Sequence, residues 1–130
     1  METKLIKLNK KEINAQQIKE AADIVDAGGF VAFPTETVYG IAARVKKDTL
    51  SKLNELKERP ENKHYTLHIA KNCDVFKYVP SLSLRARKLI QNTWPGPLTL
   101  VFELDQNNIK KLQTSLDKEV LETLYQDQSI

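Results

Sequence analysis

Three hydroxyl side chains stand at alternate positions, Thr35, Thr37 and Tyr39, and a cationic set follows at Lys57, Arg59 and Lys63, with His68 beyond it. Hydroxyls are neutral donors and acceptors that suit a small polar substrate. Arginine presents a planar fork of donors that pairs bidentately with phosphate, and Pro60 stiffens the chain directly after Arg59. Each group alone also has a plain structural account: Thr37 can cap a turn, Lys57 and Arg59 can complement a helix C-terminus, and His68 can be a hydrogen-bonded strand residue. His64, in a polar loop, carries less information than His68.

Other chemistries lack their residues. One cysteine, Cys73, and two histidines cannot assemble a four-ligand zinc site unaided, and the chain has neither a Walker loop nor a Gly-x-Gly-x-x-Gly run. Any phosphate binding therefore uses side chains and ordinary loop amides. Trp94-Pro95-Gly96-Pro97 reads as an aromatic anchor followed by a rigid turn.

The elements that must position these residues follow from periodicity. Leu5, Ile6 and Leu8 predict a short first strand, and Asn14 caps a helix over Ala15 to Ala27 that stops at Gly28-Gly29. The apolar run Phe30 to Phe33 predicts a strand buried on both faces, with the hydroxyl cluster at its carboxyl end, where open α/β sheets place ligands. Gly40 there allows close approach of a ligand or backbone. Ile41 to Val45 predicts a second strand, and Asp48 caps a helix carrying Leu50, Leu53 and Leu56 up to Lys57. Pro60 to Lys63 is a polar loop, Thr66 to Ala70 a strand, Leu84 to Trp94 a cationic helix, and Leu98 to Leu104 a strand. Ile109, Leu112, Leu116, Val120 and Leu124 recur at helical intervals and predict one amphipathic helix over Asn107 to Tyr125.

Interleaved strands and helices indicate an α/β protein. The hydrophobic share of 41% and charged share of 28% are those of a soluble globular domain, and no apolar run reaches the roughly 20 residues of a membrane span. A single cysteine and no signal peptide point to the cytoplasm. Residues 103–130 carry 3 Lys or Arg against 6 Asp or Glu, a balance of −3, which leaves residues 1–102 at +6 of the net +3. A basic body suits an anionic ligand such as a nucleotide or RNA. The compositional seam near Asp105 to Asn108 divides the chain into 1–105 and a tail, 106–130.

In order, Phe33-Pro34-Thr35-Glu36-Thr37-Val38-Tyr39-Gly40, the helix ending in Lys57-Glu58-Arg59-Pro60, the segment with His68, and Trp94-Pro95-Gly96-Pro97-Leu98-Thr99 resemble the YrdC-like family of L-threonylcarbamoyladenylate synthases. The resemblance covers about residues 15–104, roughly the first half of that domain. It implies a twisted, open mixed sheet with flanking helices around a concave basic cavity, here shortened and followed by an amphipathic helix. It also implies a nucleotidyltransferase that joins L-threonine, bicarbonate and ATP into threonylcarbamoyl-AMP, with Mg²⁺, for threonylcarbamoyladenosine modification of tRNA. Members are further described as binding double-stranded RNA. Carried over by position, Thr37 and His68 fall at L-threonine-binding sites and Arg59 and Lys63 at ATP-binding sites, while Thr35, Tyr39 and Lys57 line the cavity.

Departures concentrate after Leu104. Thr114-Ser115-Leu116-Asp117 echoes a Gly-Leu-Asp-Thr stretch of the family, but Lys118 stands at the expected threonine and Glu122 at the expected arginine, and the family's Ser-Ala-Asn segment is absent from the sequence. Lys63-His64-Tyr65 also replaces the common Pro-Leu ending. Three readings follow. The chain is a shortened synthase, or a non-catalytic nucleotide- or RNA-binding module whose tail helix covers the exposed half-site or recruits a partner such as a tRNA-modification protein, or a fragment of a disrupted reading frame. None of them involves a membrane.

Overall fold

The computed structural model describes residues 3–9, 12, 14–60 and 63–130, which form two compact units, Met1–Glu58 and Arg59–Ile130. The α/β class holds in the first unit and in the mixture of elements along the chain. The described sheet is a two-stranded antiparallel ribbon.

In the first unit, α1 spans Ala15–Asp26, capped by Asn14, whose side-chain oxygen accepts from the Gln16 and Gln17 amides at 2.9 and 3.3 Å. The helix ends where Gly28 adopts φ +86°, a left-handed conformation that glycine enters without a Cβ penalty. Strands β1 (Val31–Phe33) and β2 (Gly40–Ala42) pair with Val31 opposite Ala42 and Phe33 opposite Gly40. Helix α2 spans Lys47–Leu56 and buries Thr49 and Leu53.

Several expectations fail in this unit. Leu5, Ile6 and Leu8 form no strand, and Leu5 is 87% exposed. An apolar pattern makes a strand only when a partner edge pairs with it, and among the described residues no strand pairs with Leu5 to Leu8. β1 was expected to be buried on both faces, yet Val31 and Phe33 are half-buried with Ala32 exposed between them. That is the pattern of a ribbon covered on one face. Asp48 is not the cap of α2; Lys46 holds that position without a side-chain bond, and Asp48 lies in the first turn, where its charge still complements the helix dipole.

The second unit contains most of the core: Val75, Val79, Leu82, Ile90, Leu104 and Leu112, with Trp94, Phe102, Leu116 and Leu121 packed around them. Its helices are α3 (Val75–Tyr78), α4 (Leu84–Thr93), α5 (Gln106–Ser115) and α6 (Lys118–Leu124). A single 3₁₀ turn, Asn72–Asp74, leads into α3, and Asp74 secures it by accepting from the Lys71 amide at 3.1 Å and pairing with Lys77 at 2.9 Å. Ser83 caps α4 and Asp105 caps α5 through side-chain bonds of 3.1 and 2.7 Å.

Thr66 to Ala70, expected as a strand, has no regular structure. Leu98 to Leu104 is joined by only a few bonds: Phe102 exchanges both backbone bonds with Ile130 at 2.8 and 3.0 Å, and the Leu104 amide donates to Gln128. The end of the chain thus doubles back beside this segment. The single helix expected over Asn107 to Tyr125 divides at Leu116 and Asp117, both extended. Thr114 and Ser115 turn their hydroxyls back onto the Lys111 and Leu112 carbonyls at 2.7 and 3.4 Å, and such local bonds compete with helix propagation. Glu61 and Asn62 of the polar-loop expectation lie outside the described residues.

Two expected results follow from this packing. Tyr125 donates its hydroxyl to the Tyr78 carbonyl at 2.7 Å, and burial, reinforced by the neighbouring Tyr78 phenol, pushes its pKa well above the ordinary 10.0. A raised folded-state pKa favours the neutral phenol in the folded chain, so its contribution is fully present below about pH 10 and is lost as pH climbs toward the folded value. Denaturation midpoints measured from pH 8 upward are therefore expected to fall above about pH 10, and Tyr125→Phe to flatten that fall. The second result concerns Gly96, where an added Cβ would meet the Thr93 carbonyl oxygen at 2.4 Å. Gly96→Ala is expected to cost about 1–3 kcal/mol in urea titrations, because rigid backbone rather than a mobile side chain stands in the way.

Candidate functional site

The hydroxyl cluster occupies the loop between β1 and β2, so it closes an antiparallel pair rather than opening at the end of a parallel strand. Thr35 organises it. Its hydroxyl donates to the Val38 carbonyl and accepts from the Thr37 amide at 3.3 Å, bending residues 36–38 around one side chain. The Thr37 hydroxyl makes no hydrogen bond among the described residues, and Tyr39 is 76% exposed. Gly40 has a different use from the one expected: a Cβ there would lie 3.1 Å from the Phe33 ring, so the missing side chain accommodates the opposing residue of the ribbon.

Thr35 thus supports Thr37 without being its chemical equal. Thr35→Val removes both bonds and keeps the shape, and the loss of two such bonds is expected to lower stability by about 1–3 kcal/mol. Thr35→Ser should restore it, and urea titration of the two variants checks both.

Lys57 is exposed and forms the C-cap of α2, its amide donating to the Leu53 carbonyl at 3.0 Å. The ammonium group thereby stands where a helix favours positive charge. Glu58, the last residue of the first unit, follows with φ 49°, in the left-handed region.

The second unit opens with Arg59, and Lys63 and His68 follow, all three outside any helix or strand. Arg59 is half-buried. Its Nη2 donates to the His64 carbonyl at 2.7 Å, its guanidinium carbon lies 4.6 Å from the centre of the Tyr65 ring, and its buried Nε has no partner among the described residues. Lys63 is exposed, with its amide on the Pro60 carbonyl at 3.2 Å, and His68 is exposed in the segment expected as a strand. Trp94 fulfils the expected anchoring role, its indole donating to the Leu98 carbonyl at 2.7 Å while the Asn72 side-chain amide donates to the Trp94 carbonyl at 3.1 Å. The Trp94–Pro95 peptide is cis.

Within its unit each set is local: Thr35, Thr37 and Tyr39 share one loop, and Arg59, Lys63 and His68 share one segment. Sequence reasoning gave Tyr65 no role beyond marking a departure from the family. An aromatic residue a few positions after a candidate phosphate-binding arginine is the signal that could have found it, since guanidinium groups stack on aromatic faces. Among the described residues no group of three His, Cys, Asp or Glu side chains could hold a metal ion, and no helix is long and apolar enough to cross a membrane.

Comparison with known proteins gives a consistent result. The Sua5/YciO/YrdC family model, described as telomere recombination, matches residues 23–120. The chain is 38% identical over 89 residues to a threonylcarbamoyl-AMP synthase of Bacillus subtilis, covering 68% of this chain and 26% of that protein. It is 36% identical over 93 residues to the synthase of Pyrococcus abyssi, covering 71% of this chain and 27% of that one. It therefore spans about a quarter of the length of these two relatives. Among solved structures, P. abyssi Sua5 complexed with L-threonine matches 82% of this chain and 32% of its own, with 33% identity and a TM-score of 0.66.

Proposed function

Since the chain belongs to the Sua5/YciO/YrdC family, we propose that it serves the formation of threonylcarbamoyl-AMP from L-threonine, bicarbonate and ATP, for threonylcarbamoyladenosine modification of tRNA in the cytoplasm. The observation that carries this reading is the likeness, in both sequence and fold, to a structure complexed with L-threonine. Thr37 and His68 take L-threonine, Arg59 and Lys63 take ATP, and Thr35, Tyr39 and Lys57 line the site.

The reaction asks these residues to bind, orient and neutralise charge. The threonine amine and bicarbonate condense to a carbamate with loss of water. A carbamate oxygen then attacks the α-phosphorus of ATP, the bond to the bridging oxygen breaks, and pyrophosphate leaves with the electron pair. No protein nucleophile is required. Cations held near the phosphates stabilise the charge that develops on the leaving group. Mg²⁺ enters with the ATP phosphates as part of the substrate.

Calorimetric titration with L-threonine, then with ATP and Mg²⁺, tests the reading, together with pyrophosphate release that depends on both threonine and bicarbonate. Binding of both ligands with turnover supports it in full. Binding without turnover restricts it to a substrate-binding module, and absence of binding rejects it.

A second, non-catalytic reading draws on α4, where Arg85, Arg87 and Lys88 are exposed. Arg87 is partly engaged, its Nε donating to the Leu82 carbonyl at 3.3 Å and its guanidinium lying 5.9 Å from the Phe76 ring centre. RNA binding that weakens steeply with salt, without pyrophosphate release, would favour this reading. Its other half needs correction: Ile109, Leu112 and Leu116 of the tail stripe pack into the unit's own core and are not a free surface for a partner.

A further inference from the structure

Arg59 is held by two neighbours of different kinds. The His64 carbonyl, 2.7 Å from Nη2, restrains one nitrogen. A single hydrogen bond still lets a guanidinium plane swing about the contact. The Tyr65 ring, 4.6 Å from the guanidinium carbon, supplies a face against which the plane can lie. Of the five N–H groups of a guanidinium, the described residues take one, and the buried Nε–H is left without a partner. A charged donor withdrawn from water and unpaired is costly, and an anionic oxygen is the kind of group that would satisfy it.

We propose that Tyr65 is a positioning residue, whose ring face fixes the orientation of the Arg59 guanidinium so that its remaining N–H groups are presented to the phosphate chain of a nucleotide. The inference rests on the reading of Arg59 as an ATP-binding residue and adds to it the group that orders the side chain. Its physical basis is preorganisation. A guanidinium already restrained on a ring loses less freedom when it closes on phosphate than one on an untethered stem. The aromatic face does the restraining, so Phe should replace Tyr65 and Leu should not.

The test uses the full chain and its Tyr65→Phe and Tyr65→Leu variants. The Arg59 Nε–H resonance, assigned by its disappearance in Arg59→Ala, is followed by NMR without and with ATP and Mg²⁺, and the dissociation constants of ATP and L-threonine are measured by calorimetry. The expected result is an Nε–H resonance displaced by the ring current in the parent and in Tyr65→Phe, and relaxed toward the value of a free arginine in Tyr65→Leu. ATP affinity is expected to fall about three- to tenfold in Tyr65→Leu alone, from loss of the cation–π contact, with L-threonine affinity unchanged in both variants. A resonance insensitive to Tyr65→Leu, or equal loss of ATP affinity in Phe and Leu, overturns the positioning role. A ring-shifted resonance that ATP leaves unmoved in the parent overturns the phosphate assignment of Arg59, and with it the purpose given to Tyr65. The two failures are read from different signals.

Discussion

Leu112→Ala is expected to lower the unfolding free energy of the second unit by about 2–5 kcal/mol. Leu112 is 0% exposed, and it lies on α5 among Val75 and Val79 around α3, Leu82 and Ile90 around α4, and Leu104 just before α5. Because these neighbours come from several separate segments, no single one can shift to fill the space left by the truncated side chain. The deleted methylene and methyl groups therefore lose their burial and leave a cavity as well. Trp94, the sole tryptophan, packs against this same core and reports its unfolding by fluorescence in urea. Leu84→Ala is the control: Leu84 is 79% exposed and the change should fall within about 0.5 kcal/mol. A Leu112→Ala midpoint equal to that of the parent would mean that the tail does not close this core.

Under the proposed function, Arg59→Ala is expected to weaken ATP binding by at least about tenfold while leaving L-threonine binding intact, since charge-assisted hydrogen bonds to phosphate are worth about 1.5–3 kcal/mol each. Arg59→Lys should recover little of the loss, because an ammonium group keeps the charge but has no planar fork. Calorimetry on the two variants separates the contributions. Loss of both ligands together would point to a wider disturbance than a lost phosphate contact, as Arg59 also bonds the His64 carbonyl. Unchanged ATP affinity in Arg59→Ala would remove the phosphate role from this residue.

The local devices were legible in the chain. Asn14 caps α1 where a side-chain acceptor precedes an amphipathic run, Gly28 ends that helix in a left-handed conformation, and Trp94 with Pro95 stops α4. Each depends on residues within a few positions of one another, so local stereochemistry suffices to predict it. Strands were less legible. Val31 to Phe33 pairs with Gly40 to Ala42 across a short connection, whereas the equally apolar Leu5 to Leu8 and Thr66 to Ala70 pair with nothing regular among the described residues. A strand is defined by its partner, and sequence spacing does not reveal which edges will be available.

The same division applies to the candidate site. Residue types and order mark Thr37, Arg59, Lys63 and His68 as candidates, and motif order places the chain in its family. What tertiary structure added is how the side chains are held: Thr35 bracing the loop beneath Thr37, Gly40 making room for Phe33, Tyr65 lying against Arg59, and the tail stripe turning inward onto Val75 and Ile90. Composition and motif order are properties of the covalent chain and survive unfolding. Stacking, register and burial depend on groups brought together through space, and only the folded chain decides them.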